Sequence, residues 1–407
     1  MKKARIIFAA ALLFLLLCTA CQGAGQNTIH VVESVPLETE LGSPKFLDTQ
    51  AAWVKAMSEA KKSIDIEVFY ICSEKGQPME RIIAAIEGAA ARGVQVRIIV
   101  DSKFYKTYPE PAATLGKKKN VTVRVIDFGR LAGGVMHAKF FVVDARTVFV
   151  GSQNFDWRAI SQIHEIGLLI RDARIAQEFA AIFEMDWRLC LGGKASPGPV
   201  VKGPPARPGQ SRLIYDGEEC LAHAAFSPPS LVPKGMTLEE DEIVKLMDGA
   251  KKEILIQVMH YSPRPRNKKD GYYAVLDNGL RRAALRGAKV KMTVADWSLD
   301  RETVPYLKSL ACIPNVEIRV SHIPQHSRGH IPFARVEHCK YMLVDGDKTW
   351  VGTGNWQKGY FHDSRDAGVV ITGKGVNRDM REMFFRGWNS KYVEPVDVAK
   401  DYRAGAR

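Results

Sequence analysis

Two stretches of the chain carry the same reactive residues in the same order. HAKFFVVDARTVFVGSQNF begins at His137 and HCKYMLVDGDKTWVGTGNW begins at His338. His137, Lys139, Asp144, Ser152 and Asn154 match His338, Lys340, Asp345, Thr353 and Asn355, and further on Glu165 matches Asp366. Each pair lies 201 residues apart (338 − 137), so the register holds from the histidines past the acids with no net insertion. Chance does not keep such a register, and the chain reads as a duplicated unit.

One copy offers an imidazole, an ammonium and an amide. Side chains alternate along a strand, so His137 and Lys139 share a face while Asp144 points to the other. Asp144 and Asp345 are therefore read as orienting or structural acceptors, together with Ser152 and Thr353. Two copies packed about a pseudo-twofold axis would bring two of each reactive group around one pocket, a set that suits phosphodiester cleavage. One neutral histidine can attack phosphorus and form a phosphohistidine while the other, protonated, gives its proton to the leaving oxygen. Lys139, Lys340, Asn154 and Asn355 would hold the non-bridging oxygens, where charge must be neutralised during transfer. Glu165 and Asp366 are the natural partners for the far ring nitrogens. The histidines would titrate as a coupled pair, with an optimum expected on the mildly acidic to neutral side. A single H-x-K is a weak pattern, more often structural; its duplication with matching Asn and acid carries the reading.

The elements around these motifs repeat as well. AAWVKAMSEAKKSIDIEVFY (51–70) resembles DEIVKLMDGAKKEILIQVMHY (241–261), each an amphipathic helix running into an Ile/Val strand. In 84–102 and 276–298, a helix rich in Ala and Arg ends at Gly93 or Gly287 and a second strand follows. With the motif hairpin and a closing helix around Trp187 or Trp388, each half predicts an α/β/α sandwich lobe with a mixed sheet, and one active site at the pseudo-twofold interface. The Pro/Gly-dense segment 192–212 reads as an exposed connector between lobes spanning 33–191 and 213–393, with a loosely held tail at 394–407.

The N-terminus is separate from these lobes. Lys2, Lys3 and Arg5 precede an apolar run from Ile6 to Leu17, followed by small residues. Residues 1–20 thus read as an export signal, with a core too short to span a bilayer comfortably. Cys18-Thr19-Ala20-Cys21 resembles a bacterial lipobox, which makes Cys21 the candidate lipidation site; the expectation is a membrane-anchored lipoprotein outside the cytoplasm, or a secreted protein. Losing the three basic residues takes the net charge from +13 to +10. That balance suits an anionic partner, either nucleic acid or a phospholipid surface. Five cysteines remain, so disulfides are allowed but at least one thiol stays free. No cysteine or histidine spacing signals a metal site, and no cofactor is expected.

Taken together, the two H-x-K-x4-D motifs resemble those of the phospholipase D superfamily. GSQNFDWRAISQIHEIGLLI, IPFARVEHCKYM and GTGNWQKGYF are similar to its lysosomal phospholipase D-3 and D-4 branch, from about Glu33 to Val393. The resemblance implies a bilobal fold with one metal-independent site, His137 as nucleophile and His338 as acid. It also implies 5′ exonuclease action on single-stranded nucleic acid, with lipid transphosphatidylation as a second activity. Cys339 stands where asparagine is common in the branch, and strand parity turns it away from the phosphate.

Fold and motif do not choose the substrate. Phe155, Trp157, Trp356 and Tyr360 can stack bases beside the motifs or pack the core beneath them. Basic runs at 117–119 and 264–269 can track phosphates or simply be solvated. Single-stranded nucleic acid is the leading substrate and phospholipid headgroups the alternative. No long apolar lid or interfacial helix favours lipid. A phosphate-binding module without catalysis is the third reading, opposed by two intact reactive sets.

Overall fold

The computed structural model describes residues 26–192, 209–264 and 271–402. The signal, the lipobox with Cys21, most of the connector and most of the basic run at 264–269 lie outside the described residues.

The first half runs β1 (Thr28–Ser34), α1 (Thr49–Glu59), β2 (Ser63–Val68), α2 (Met79–Ala91), β3 (Gln95–Asp101) and β4 (Val121–Ile126). The hairpin β5 (Lys139–Val143) and β6 (Thr147–Gly151) follows, then β7 (Glu165–Arg171) and α3 (Ala173–Leu189). In space the order is β4-β3-β2-β5-β6-β7-β1, parallel from β4 to β2 and antiparallel beyond. The second half repeats it. It contains β8 (Ser211–Tyr215), β9 (Glu218–Ser227), α4 (Glu239–Gly249), β10 (Glu253–Val258), α5 (Val275–Leu285), β11 (Lys289–Ala295) and β12 (Val316–Ser321). It closes with β13 (Tyr341–Val344), β14 (Lys348–Gly352), β15 (Asp366–Thr372), α6 (Lys374–Trp388) and β16 (Val393–Pro395). The order β12-β11-β10-β13-β14-β15-β9 matches strand for strand. Thr28 on β1 pairs with Ile214 on β8, which joins the halves into one mixed sheet of 17 strands, the sixteen above and the two-residue strand Leu47–Asp48 that pairs with β1.

Local chemistry sets the element ends. Asp48 caps α1 by accepting from the Ala51 amide at 2.8 Å, and Asp172 caps α3 through Ile175 at 2.9 Å. Gly93 and Gly287 sit at φ +96° and +94° just past α2 and α5, the left-handed geometry that ends a helix at least cost. On α3, Ile175, Phe179, Ile182, Phe183 and Trp187 recur at helical spacing and all are buried.

Packing departs from two self-contained lobes. Each half has an outer core, built under α1 and α2 or under α4 and α5. A third core is shared, with Phe179 and Phe183 of α3 and Met380 and Phe384 of α6 in one cluster with Phe140, Phe226 and Tyr341. The edges differ from the sequence boundaries too. β1 begins at Thr28 rather than near Glu33, and β8 starts at Ser211 rather than after 212. The tail is tied down at its start, because β16 pairs with β12 and the buried Val396 donates to the Ile318 carbonyl at 2.9 Å. All five described cysteines are free. Among the described residues, no helix is long and apolar enough to cross a membrane.

Candidate active site

The hairpins deliver each histidine to the seam between the halves. His137 lies just ahead of β5 and donates its amide to the Arg365 carbonyl at 2.9 Å. His338 lies ahead of β13 and donates to the His164 carbonyl, also at 2.9 Å. Arg365 and His164 immediately precede the two acids. Each histidine backbone is thus stitched to the strand that carries the acid of the other half.

The side chains cross over in the same way. His137 Nδ1 lies 2.8 Å from Asp366 Oδ1, and His338 Nδ1 lies 2.7 Å from Glu165 Oε2. Neither half completes the His–carboxylate pair of its own motif histidine. Thr353 donates its hydroxyl to the same Asp366 oxygen at 2.6 Å, and Ser152 bridges β6 to Ile166 beside Glu165. With Nδ1 committed to a carboxylate, Nε2 of each ring is the nitrogen left to face a substrate.

Lys139 and Lys340 are fully buried and donate to the carbonyls of His137 and His338. Burial drives both imidazoles well below the usual histidine range, and the two lysines push them further down. Burial also lowers Lys139 strongly and Lys340 to about 8. The acids move the opposite way, Asp366 up to about 7 and Glu165 well up, because burial penalises their charge more than the lysines offset it. Asn154 and Asn355 follow the hairpins, each with a buried amide oxygen that no protein group satisfies. Such a constellation can supply a nucleophile, an acid and donors for phosphate oxygens.

The motif aspartates stand apart from this chemistry, as strand parity required. Asp144 accepts from the amides of Lys61, Lys62 and Ser63 at 2.7–2.9 Å, and Asp345 from Lys251, Lys252 and Glu253 at 2.7–3.0 Å. They anchor each hairpin turn to the start of β2 or β10. The turn begins at Asp144 itself, with Asp144 and Ala145 both at positive φ.

A cavity of about 570 Å³ opens beside His137. Phe69 and Tyr360 line it, and their ring centroids lie 5.1 and 4.8 Å from the imidazole. Of the four aromatic candidates only Tyr360 reaches this cavity. Phe155 and Trp356 are buried in the outer cores and Trp157 packs against one, because each follows its hairpin into the layer beneath the sheet. Phe69 and Phe104 were not legible as site residues, since the first lies in the bend just past β2 and the second in a short helical turn after β3.

Sequence reasoning also missed the two interlobe bolts. Arg365 is completely buried, grips Asp186 with 2.6 and 2.8 Å bonds, and donates to the carbonyls of Ser227 and Leu231. At the equivalent position His164 sits between Glu337 at 2.7 Å and Glu33 at 3.0 Å. One potential ligand atom each from His164, Glu337 and Cys339 lies within 4.8 Å of the others. Both nitrogens of His164 are already held by carboxylates, so the trio is built as an ion-pair cluster. The only signal for these residues was their place one step before the acids and before His338.

Comparison with known proteins agrees with this geometry. The family described as "Cardiolipin synthase, PLD-like domain" matches twice, over residues 53–187 and 243–388. The chain belongs to the phospholipase D superfamily. It is a phosphodiesterase of that superfamily, with the superfamily domain duplicated. It is 31% identical to the 5'-3' exonuclease PLD3 of Bos taurus, over 91% of this chain and 81% of that protein. Identity to the Phospholipase D Z of Dictyostelium discoideum is also 31%, over 91% of each. Among solved structures, the phosphatidylserine synthase of Haemophilus influenzae Rd KW20 superposes with a TM-score of 0.56 at 13% identity, over 85% of each chain. The polyphosphate kinase of Porphyromonas gingivalis gives 0.53 at 11% identity, over 91% of this chain and 49% of that one. These two superpositions speak to the phospholipase D fold alone.

Proposed function

We propose that this protein cleaves single-stranded nucleic acid through a phosphohistidine on His137, with His338 as general acid and then as base. The observation that carries the mechanism is the crossed pairing, which fixes both Nδ1 atoms and leaves two Nε2 atoms beside two buried lysines. In the first step Nε2 of His137 bonds to phosphorus while His338 protonates the departing oxygen. In the second, His338 takes a proton from water, the water oxygen bonds to phosphorus, and the phosphorus–nitrogen bond breaks to release neutral His137 and the phosphate product. Lys139, Lys340, Asn154 and Asn355 stabilise the charge on the non-bridging oxygens. These groups supply both proton transfer and positive charge, so EDTA is expected to leave the rate unchanged. The net charge of +10 without the three basic residues of the signal, the aromatic wall of the cavity and the exonuclease named among the relatives support nucleic acid. Phospholipid headgroup cleavage is the second reading, favoured by the phospholipase D that aligns end to end. The N-terminal signal and Cys21 support an exported, lipid-anchored protein.

The test offers the mature protein, in EDTA, a 5′-hydroxyl single-stranded oligonucleotide and, separately, phosphatidylcholine–phosphatidylglycerol vesicles. Oligonucleotide shortening that His338→Ala lacks is expected. Headgroup release with the oligonucleotide intact would move the protein to the lipid side.

The pH profile follows from the same site. The acid must be protonated, and that form is lost as pH rises through a pKa held below ~6.5 by burial and by both lysines. The kcat/KM of the free enzyme should therefore peak on the acidic side of neutrality and fall above it. A maximum above about 8 would be incompatible with a histidine acid in this environment.

A further inference from the structure

The two sides of the histidine pair are related by the repeat, yet they are not alike. The register of 201 residues sets Gly359 against Arg158, Tyr360 against Ala159 and Gln357 against Asp156. On one side Arg158 is only 7% exposed and ties the wall together. Its guanidinium bonds the Asp156 carboxylate at 2.6 Å, the Pro332 carbonyl at 3.2 Å and the Tyr108 hydroxyl at 3.5 Å. Tyr70 adds a 2.9 Å bond to Asp156 and stacks on Tyr108. On the other side, Gly359 and Gln357 line the cavity of about 570 Å³ beside His137. Where one half fills its cleft with a cation and phenols, the other leaves it open.

We propose that this difference gives the active site a direction. One terminal nucleoside enters the cavity beside His137 and stacks on the aromatic wall, while Arg158 denies the twin side to a second. The proposal rests on the nucleic-acid reading above. The ring centroids of Phe69 and Phe104 lie 4.0 Å apart, and Phe69 and Tyr360 both contact the His137 ring, so aromatic side chains wall the cavity next to that imidazole. Base–aromatic stacking tolerates any base, which suits a site that must accept each unit in turn. The volume lies within the range of small-molecule sites and suits one nucleoside rather than a run of them. Lys103, Arg264, Asp300 and Glu302 also line this cavity, a charged rim unlike the continuous apolar surface an acyl chain needs. Gly359 has room for the change that tests the idea, since an added Cβ meets only Asp363 Oδ2, at 3.6 Å.

The experiment compares wild type, Phe104→Ala and Gly359→Arg on a 5′-hydroxyl oligothymidylate. A second oligonucleotide carries an abasic tetrahydrofuran unit at the end from which wild type removes nucleotides. Wild type should cut the abasic strand roughly ten-fold more slowly, since stacking of one base is lost. Phe104→Ala should slow the full strand to a similar degree and lose little more on the abasic one. Gly359→Arg, which rebuilds the filled twin, should lower kcat/KM at least about 100-fold. A melting curve shows whether Gly359→Arg is folded; if it is not, Phe104→Ala against the abasic strand still decides. Equal cutting of both strands by wild type, or a folded Gly359→Arg with the wild-type rate, overturns the inference and leaves the nucleic-acid reading standing. Vesicle headgroup release with both oligonucleotides untouched removes that reading and this inference together.

Discussion

On a phosphodiester with a p-nitrophenolate leaving group, His338→Ala should release one burst of p-nitrophenolate per chain and then stall. Such a leaving group departs without a proton, so the first step no longer needs the acid. The second step still needs a base to activate water, and His338 is the proposed base. The stalled protein should carry phosphorus on His137, detectable as an acid-labile adduct by mass spectrometry. His137→Ala should give no burst. On an unactivated oligonucleotide, each alanine variant should lose roughly 10²–10⁴-fold in kcat, the range of a single general acid–base group or more. Asp366→Asn should follow His137 rather than the histidine of its own half, because its carboxylate sits 2.8 Å from His137 Nδ1. A burst from His137→Ala with label on His338 would reverse the assignment. Near-normal turnover by either alanine variant would end the two-histidine mechanism.

Arg365→Ala should destabilise the fold by about 3–5 kcal/mol, the scale for breaking a buried ion pair by removing one partner. The substitution strands Asp186 in the shared core, and burial and the Asp186 charge already raise the neighbouring Glu67 well above the ordinary carboxylate range. It also frees the Ser227 and Leu231 carbonyls, which lose charge-assisted donors. Arg365→Lys should recover only part, since one ammonium cannot reproduce the two-pronged grip on Asp186. Urea denaturation measures this directly. A midpoint for Arg365→Ala within error of wild type would show that the bolt contributes nothing net. Activity should fall with it even while the protein stays folded, because the side-chain grip on Asp186 also fixes the position of residue 365, whose backbone carbonyl holds the His137 amide.

Much of this was legible in the chain. The 201-residue register announced a duplication, and the family domain matches twice; alternating helices and strands announced an α/β unit in each half, though the order of the strands was not legible. Strand parity separated Asp144 and Asp345 from His137 and His338, and their contacts with the backbone amides of Lys61–Ser63 and Lys251–Glu253 accord with it. Cys339 likewise turned into the buried cluster behind the site. Aromatic candidates fared worse. Proximity in sequence to a motif says nothing about which side of the sheet the chain takes next, and Phe155 and Trp356 took the buried side.

Sequence by itself determined the reactive groups, their doubling and the face each presents, because those follow from residue type and a period of two along a strand. Tertiary structure alone decided which acid serves which histidine. Glu165 and Asp366 sit at equivalent places in their own halves, and only the meeting of the halves makes each serve the other. Structure alone also showed that Arg158 is buried among Asp156, Tyr108 and Pro332 while its counterpart Gly359 lines an open cavity, since a difference between equivalent positions acquires meaning only once the surroundings of each are known.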